Sequence, residues 1–525
     1  MLALCSCAPC VVLHCRVKAC VSHLIELALK IADEYDPKRP SAGSGAESSS
    51  TGAGPVSTAS NAVIFGIVHS LSLLTVCNKE LHMQALAEKD MTYEQYETMQ
   101  KLQSSQLRQE KAKAMGVEVA DLEDDEEAIQ DDPDTTELCK RRIVKIVSAN
   151  GIKAIVRLLG VCLSSASSSG KIRELACRTL RQICVVEGVT RGSMIQQGGL
   201  NVCNQVAGTS SAQTATEKAS DNLVRREAAH AVAKTLVTTN PISLKDNQRI
   251  SSIHSLVVLC KDNDANNLQQ FEALLALTNL LSTGEAERNF FVKDQGVSAV
   301  NYLMFSEHQM VRRAATECMC NMAGEEPLFK LMRLPDKVRL WIGFTGEYST
   351  EDVTPKSFEG ANNALKETFL TARAAAGTLA GCCQDIQVAS ACMQEDIVSM
   401  FTKILVDNSR NHNDGGQNIE IIHRVLVAIK VMCVAEYAAD AAPIAIEGAK
   451  TPLPPLKSHE ELHESIITYL ISSNILAVIN ACVTNYAVKS ATGVNIGLPP
   501  EIIELVREIC EVLQYFANLY GSKNR

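Results

Sequence analysis

Aromatic residues are scarce in this chain. Phe, Trp and Tyr make up 4% of its 525 residues and Trp341 is the only tryptophan, whereas hydrophobic residues reach 46%. A bulky globular core needs large rings. A chain that relies on Ala, Leu, Val and Ile instead suits many thin helix-on-helix layers. Positive charge is also in deficit, with a formal net charge of −10. No global positive field is therefore available to draw in nucleic acid or an anionic membrane, and a protein partner is expected. No apolar run reaches the roughly 18 to 20 residues of a membrane span. The start of the chain lacks the basic region and small-residue cleavage site of a secretory signal, which points to the cytoplasm. Catalytic signatures are missing as well: there is no phosphate-cradling GxxxxGK[ST], no GxSxG elbow, no HExxH and no strand, glycine loop and helix unit for a dinucleotide. The expectation is a binding protein and not an enzyme.

Cysteine, by contrast, is plentiful at 20 residues. Most sit singly inside apolar helical stretches, as do Cys177, Cys184, Cys260 and Cys433, the pattern of small buried thiols in a reducing compartment. Five crowd the first twenty positions (Cys5, Cys7, Cys10, Cys15 and Cys20), near His14 and His23. The CxCxxC spacing could open a zinc site, but no second Cys or His pair follows at a finger-like distance, so neither a metal nor a cofactor is expected.

At this length the chain is either several globular domains or one array of stacked repeats. Residues 1–36 read as an N-terminal helical segment, and 37–60, rich in Ser, Gly, Ala and Pro, as a flexible loop. Residues 61–120 are helical, apolar to 78 and polar over 79–115, and 121–134 form an acidic linker with nine carboxylates. Residues 135–525 carry repeats. Short apolar helices at 151–159, 198–206, 253–259 and 296–303 are each followed by a longer one. The longer helices fall at 171–186, 223–237, 268–282 and 310–323, and less regularly at 369–382.

Their common register places a small residue at Ala176, Ala228, Ala273, Ala315 and Ala374, with Leu180, Val232, Leu277 and Met319 four positions on. Successive units lie about 40 to 60 residues apart, the period of armadillo or HEAT repeats. The expected fold is all-α: an armadillo/HEAT-like α-solenoid, a right-handed superhelix of stacked helical repeats with one concave side. Further units are expected at 399–406 with 419–434, and at 471–483 with 501–519. Loops are expected at 345–364, 407–417 and 438–459.

Two residues past the apolar register position stand Gln182, Lys234, Asn279, Asn321 and Ala380. In an armadillo superhelix the last helix of each unit lines the groove, where an Asn both donates to and accepts from the backbone of an extended peptide. The alternative for each Asn is a bond to its own last helical turn. Arg312, Arg313 and Glu317 either meet charged client side chains or pair with one another at helical spacing. The candidate client-binding set is therefore Gln182, Lys234, Asn279, Arg312, Arg313, Glu317 and Asn321, while Phe271 and Tyr302 read as core.

Several of these segments resemble the UCS family of myosin chaperones, the uncoordinated-type muscle assembly proteins. The resemblance is carried by 271–280 (Phe-Glu-Ala-Leu-Leu-Ala-Leu-Thr-Asn-Leu), 311–321 (Val-Arg-Arg-Ala-Ala-Thr-Glu-Cys-Met-Cys-Asn), 195–199 and the helix at 61–78 with Phe65-Gly66. It is strong over about 132–320, weaker upstream, where it looks like the central or neck region, and diffuse toward the C-terminus. It implies an armadillo fold whose groove binds the myosin motor domain to promote folding and assembly, and it gives Asn279, Arg312, Arg313 and Asn321 the client-binding role. It also implies the ninety-kilodalton heat-shock chaperone as a partner, although the tetratricopeptide domain that usually docks it is not seen before residue 21. On this reading the chain is either a fragment or short isoform, or is similar to the fungal members that lack that domain. The rival expectation is a generic armadillo scaffold or adaptor binding an extended peptide of another protein.

Overall fold

A computed structural model describes residues 13–34, 58–77, 136–164, 170–186, 188–209, 215–347, 363–410, 417–436, 458–488 and 498–523. The loop expected at 37–60 (as far as 57), the polar helix at 79–115, the acidic linker at 121–134 and Cys5, Cys7 and Cys10 lie outside them. Among the described residues all regular structure is helical, apart from one isolated bridge between Asp385 and Glu436.

The chain divides into two compact units, Met1–Val258 and Leu259–Arg525. The first holds α1 (Leu13–Glu34), α2 (Thr58–Leu74), α3 (Thr136–Ser148), α4 (Gly151–Ser164), α5 (Gly170–Ile183), α6 (Val189–Gln196), α7 (Gly199–Gly208) and α8 (Ala215–Leu236). The division falls within α9 (Asp246–Lys261). The second holds α10 (Asn267–Leu281), α11 (Glu285–Lys293), α12 (Gly296–Leu303), α13 (Gln309–Cys320), α14 (Glu326–Met332), α15 (Pro335–Gly346) and α16 (Asn363–Cys382). It continues with α17 (Ile386–Gln394), α18 (Ile397–Arg410), α19 (Gln417–Cys433), α20 (His459–Ser472), α21 (Ile475–Val488) and α22 (Pro500–Lys523).

The repeating element is a short first helix, a second helix and a long third helix. The turn from first to second helix is made in the same way five times. A residue with positive φ stands there, at Asn150, Gly198, Gln295, Asp396 and Asn474, and reverses the chain sharply. The next residue is packed very closely in some repeats. A Cβ on Gly296 would lie 2.1 Å from the Phe291 ring, and one on Gly151 would lie 2.4 Å from Ile146 Cγ2. Only glycine lets the first helix fold that tightly onto the second.

Third helices then stack on third helices. In the first unit α2, α5 and α8 form one row and α1, α4 and α7 another. In the second unit the rows are α10, α13, α16, α19 and α22 for third helices, α15, α18 and α21 for second helices, and α14, α17 and α20 for first helices. The small residues of the sequence register (Ala176, Ala228, Ala273, Ala315 and Ala374) are all buried, as are Leu180, Val232, Leu277 and Met319. Each such Leu contributes roughly 1.5–3 kcal/mol by leaving water, and the alanines permit the close approach. The thiols share this interior. Burial pushes Cys184 up to about 11 and Cys318 up to about 12, so both are neutral packing groups.

Several boundaries differ from expectation. Helix α18 runs on to Arg410, into the loop expected from 407, and the unit expected at 471–483 is cut at Asn474, where φ is +56°. The expected loop at 345–364 begins only after α15, and 348–362 lie outside the described residues. Helices α14 and α15 were not anticipated. Pro327 and Pro335 open them, where the missing N–H costs nothing, and Trp341 is buried within the second.

Candidate third-helix binding face

In the second unit the part of each third helix left uncovered by the core forms a stripe at helical spacing. On α10 it includes exposed Leu268 and half-buried Phe271, Leu275 and Thr278, and on α13 and its C-cap exposed Met310 and half-buried Arg313, Glu317 and Asn321. Two contacts fix the register between them. The Arg313 guanidinium lies over the Phe271 ring at 5.5 Å, and Asn321 Nδ2 donates to the Thr278 carbonyl at 2.8 Å.

From Arg313 an ion ladder crosses the following repeats. Arg313 donates to Glu317, one turn on, at 3.0 Å, and across to Glu367 of α16. Glu317 stands 4.0 Å from Arg373, which pairs with Glu420 of α19 at 2.6 Å. Arg424 donates to the Arg373 carbonyl at 2.7 Å, and Lys430 pairs with Glu508 of α22 at 2.6 Å. Exposed ion pairs contribute little individually. Arg313 and Glu367, however, are mostly buried, and a guanidinium fork held on two carboxylates fixes geometry as well as energy. The first unit repeats the theme, with Arg181 donating to Glu227 at 2.7 Å from α5 to α8.

The sequence-derived residues divide between the two units. In the first, Gln182 turns inward: it is buried, and its Oε1 accepts from the Thr75 hydroxyl at 2.8 Å. The position two past the core lies on the flank of the helix, and here the chain just after α2 covers that flank. Ala380, on α16 of the second unit, is buried as well. Lys234 is half-buried on α8.

In the second unit Asn279 is half-buried at the end of α10, and Asn321, half-buried, bridges to the neighbouring repeat. Arg312 points away from the ladder and donates to the Ser306 carbonyl at 2.9 Å, which ties down the loop before α13. Of the two alternatives for Arg313 and Glu317, the structure shows the mutual pair, extended by cross-repeat partners. Tyr302, read as core, is 74% exposed, and Phe271 is half-buried beneath Arg313. Sequence reasoning missed Leu268 and Met310, which are 55% and 38% exposed at third-helix starts. A large apolar side chain five residues before the register alanine was the available signal. Among the described residues no group of His, Cys, Asp and Glu is placed to hold a metal ion, and no single helix is long and apolar enough to cross a membrane.

No family model matches the chain. Among curated proteins it is similar to protein unc-45 homolog B of Xenopus laevis, at 28% identity over 254 residues, 47% of this chain and 24% of that one. The homolog B of Homo sapiens is 30% identical over 189 residues, 36% of this chain and 19% of that one. The chain thus matches about a quarter or less of the length of these relatives. Among solved structures, the myosin chaperone UNC-45 from C. elegans in complex with a Hsp90 peptide superposes with a TM-score of 0.49 at 19% identity, covering 73% of this chain and 34% of that one. A computationally designed armadillo repeat protein for modular peptide recognition gives a TM-score of 0.34 at 15% identity, covering 53% of this chain and 99% of that one.

Proposed function

We propose that the chain is a member of the UCS family of UNC-45-like proteins and that it acts as a myosin-directed chaperone or co-chaperone of the cytoplasm. It holds the myosin motor domain on the third-helix face of its armadillo repeats and promotes folding and assembly by binding, without covalent chemistry. The observation that carries the reading is the uncovered stripe shared by α10 and α13, kept in register from repeat to repeat by Phe271–Arg313, Asn321–Thr278 and the ladder beyond. A face whose rows are locked together presents an extended client with fixed, pre-organised contacts, which lowers the ordering cost of binding. The ninety-kilodalton heat-shock chaperone is proposed as a second partner.

The test is to warm a purified myosin motor fragment with and without an equimolar amount of the chain and to follow light scattering. Suppressed aggregation and recovery of motor ATPase are expected. A chain that leaves motor aggregation unchanged, yet captures an extended peptide of another protein, would replace this reading with that of an armadillo adaptor.

A further inference from the structure

We infer that the step between α10 and α13 accepts an uncharged, apolar stretch of an extended partner chain, and that charged segments are disfavoured there. The inference rests on the reading above that this face holds a client. Leu268 is to Met310 as Phe271 is to Arg313, the offset being 42 residues in each pair. The second pair is in contact across the two helices, and the first pair holds the equivalent positions one turn earlier on each. Two exposed aliphatic side chains and a half-buried ring therefore stand at the starts of two adjacent third helices, with half-buried Leu275 one turn further along α10. A single exposed leucine is ordinary, but an aligned apolar cluster at the margin of a repeat row is not.

The charge arrangement selects the occupant. The patch meets the ion ladder at Arg313, which lies over Phe271. From there along α13, α16 and α19 three carboxylates, Glu317, Glu367 and Glu420, face two guanidiniums, Arg313 and Arg373, and all five are already engaged with one another. An acidic segment would have to displace carboxylates from Arg313 while meeting the remaining ones. A basic segment would have to draw a carboxylate away from an arginine that is mostly buried and would then be left without its partner. Either exchange breaks a satisfied pair to make another, with no net gain. A neutral segment leaves the ladder intact and covers Leu268, Phe271 and Met310. Helices pack roughly 8–10 Å apart and an extended chain rises about 3.3 Å per residue, so one repeat step spans about three residues of client.

The experiment uses the full chain and three fluorescently labelled peptides of equal length with Ser and Gln spacers, whose intervening residues are Leu and Phe, Glu, or Lys. Anisotropy titrations at low and high salt are compared for the parent and for Leu268→Ser and Met310→Ser, whose exposed side chains leave the melting curve in place. The apolar peptide is expected to bind tightest, to keep its affinity as salt rises, and to bind about five- to ten-fold more weakly to each variant. Tighter binding of the Glu or Lys peptide with salt-sensitive affinity, apolar binding that ignores both substitutions, or no peptide binding at all would overturn the inference. The motor fragment run in parallel separates the two readings. Motor binding that is indifferent to Leu268 and Met310 and lost in salt defeats this inference alone. Apolar peptide binding without motor binding defeats the proposed client alone.

Discussion

Replacing Asp385 by Ala should be among the most damaging single changes in the second unit, although no repeat pattern marks the position. Its carboxylate is completely buried and accepts from Arg333 Nη2 at 2.7 Å and Nε at 3.2 Å, while the Arg333 side chain is itself only 3% exposed. The same carboxylate caps α17, accepting from the amides of Gln387 and Val388 at 3.1 and 3.0 Å. The flanking backbone pairs with Glu436, three residues past the end of α19: Ile386 N donates to Glu436 O at 2.8 Å and Glu436 N to Gln384 O at 3.0 Å.

Removing one member of a buried pair costs about 3–5 kcal/mol, and losing an N-cap about 1 kcal/mol. Glu326 stays on Arg333 at 2.8 Å and keeps part of its charge compensated, so the total for D385A is expected at about 3–5 kcal/mol rather than the sum. D385N keeps the cap acceptor and one bond to Arg333 and should cost about 1–3 kcal/mol. Thermal melts should rank parent, D385N and D385A in that order. Native-state hydrogen exchange should show protection lost first in α14, α17 and residues 434–436. Equal melting of the two variants, or a D385A penalty under about 1 kcal/mol, would refute the account of a buried charge held at three helix ends.

Gly296→Ala should destabilise by about 1–3 kcal/mol, since its new Cβ would fall on the Phe291 ring. Gly160→Ala, in the exposed interior of α4 with nothing within 4 Å of its Cβ, should stabilise by up to about 1 kcal/mol; paired urea titrations giving the same sign for both would contradict the packing. His463 is held neutral, with Nε2–H donating to the Cys433 carbonyl at 2.8 Å and Nδ1 accepting from the Tyr520 hydroxyl at 2.7 Å. Burial lowers its pKa below the ordinary 6.5. Below 6.5 the unfolded chain gains a proton that the folded chain resists, so stability should fall as pH drops through that value and recover above it. A His463→Gln variant should lose that slope, and an unchanged pH profile would count against it.

The buried face of each third helix was legible because burial has a local period. Ala273, Leu277, Ala315 and Met319 repeat at fixed spacing, and every one is in the core. The outward face was legible only in part, because its chemistry is settled by partners far along the chain. Arg313 and Glu317 carried a visible one-turn pair, but Glu367, Arg373 and Glu420 come from later repeats at irregular spacing. The same limit explains Gln182. Its periodic position matches Asn279, yet Thr75, more than a hundred residues upstream, covers it. Tyr302 failed in the opposite sense, an aromatic assigned to the core that stands in solvent on α12.

The left-handed residue between first and second helices bears on how far such a sequence can drift. At its five occurrences it is Asn, Gly, Gln, Asp and Asn, so what is retained is a backbone dihedral rather than any one side chain. A non-glycine residue there costs roughly 1–2 kcal/mol, least for Asn and Asp, whose side chains bond locally. Each repeat can meet that cost with several residue types. Substitution can therefore run far along the helices while the joints stay put, because a joint moved by one residue would rotate the next helix by about 100° and take its apolar stripe out of the layer. Distant copies of this architecture should be aligned first on the places where φ turns positive, and only afterwards on the residues between them.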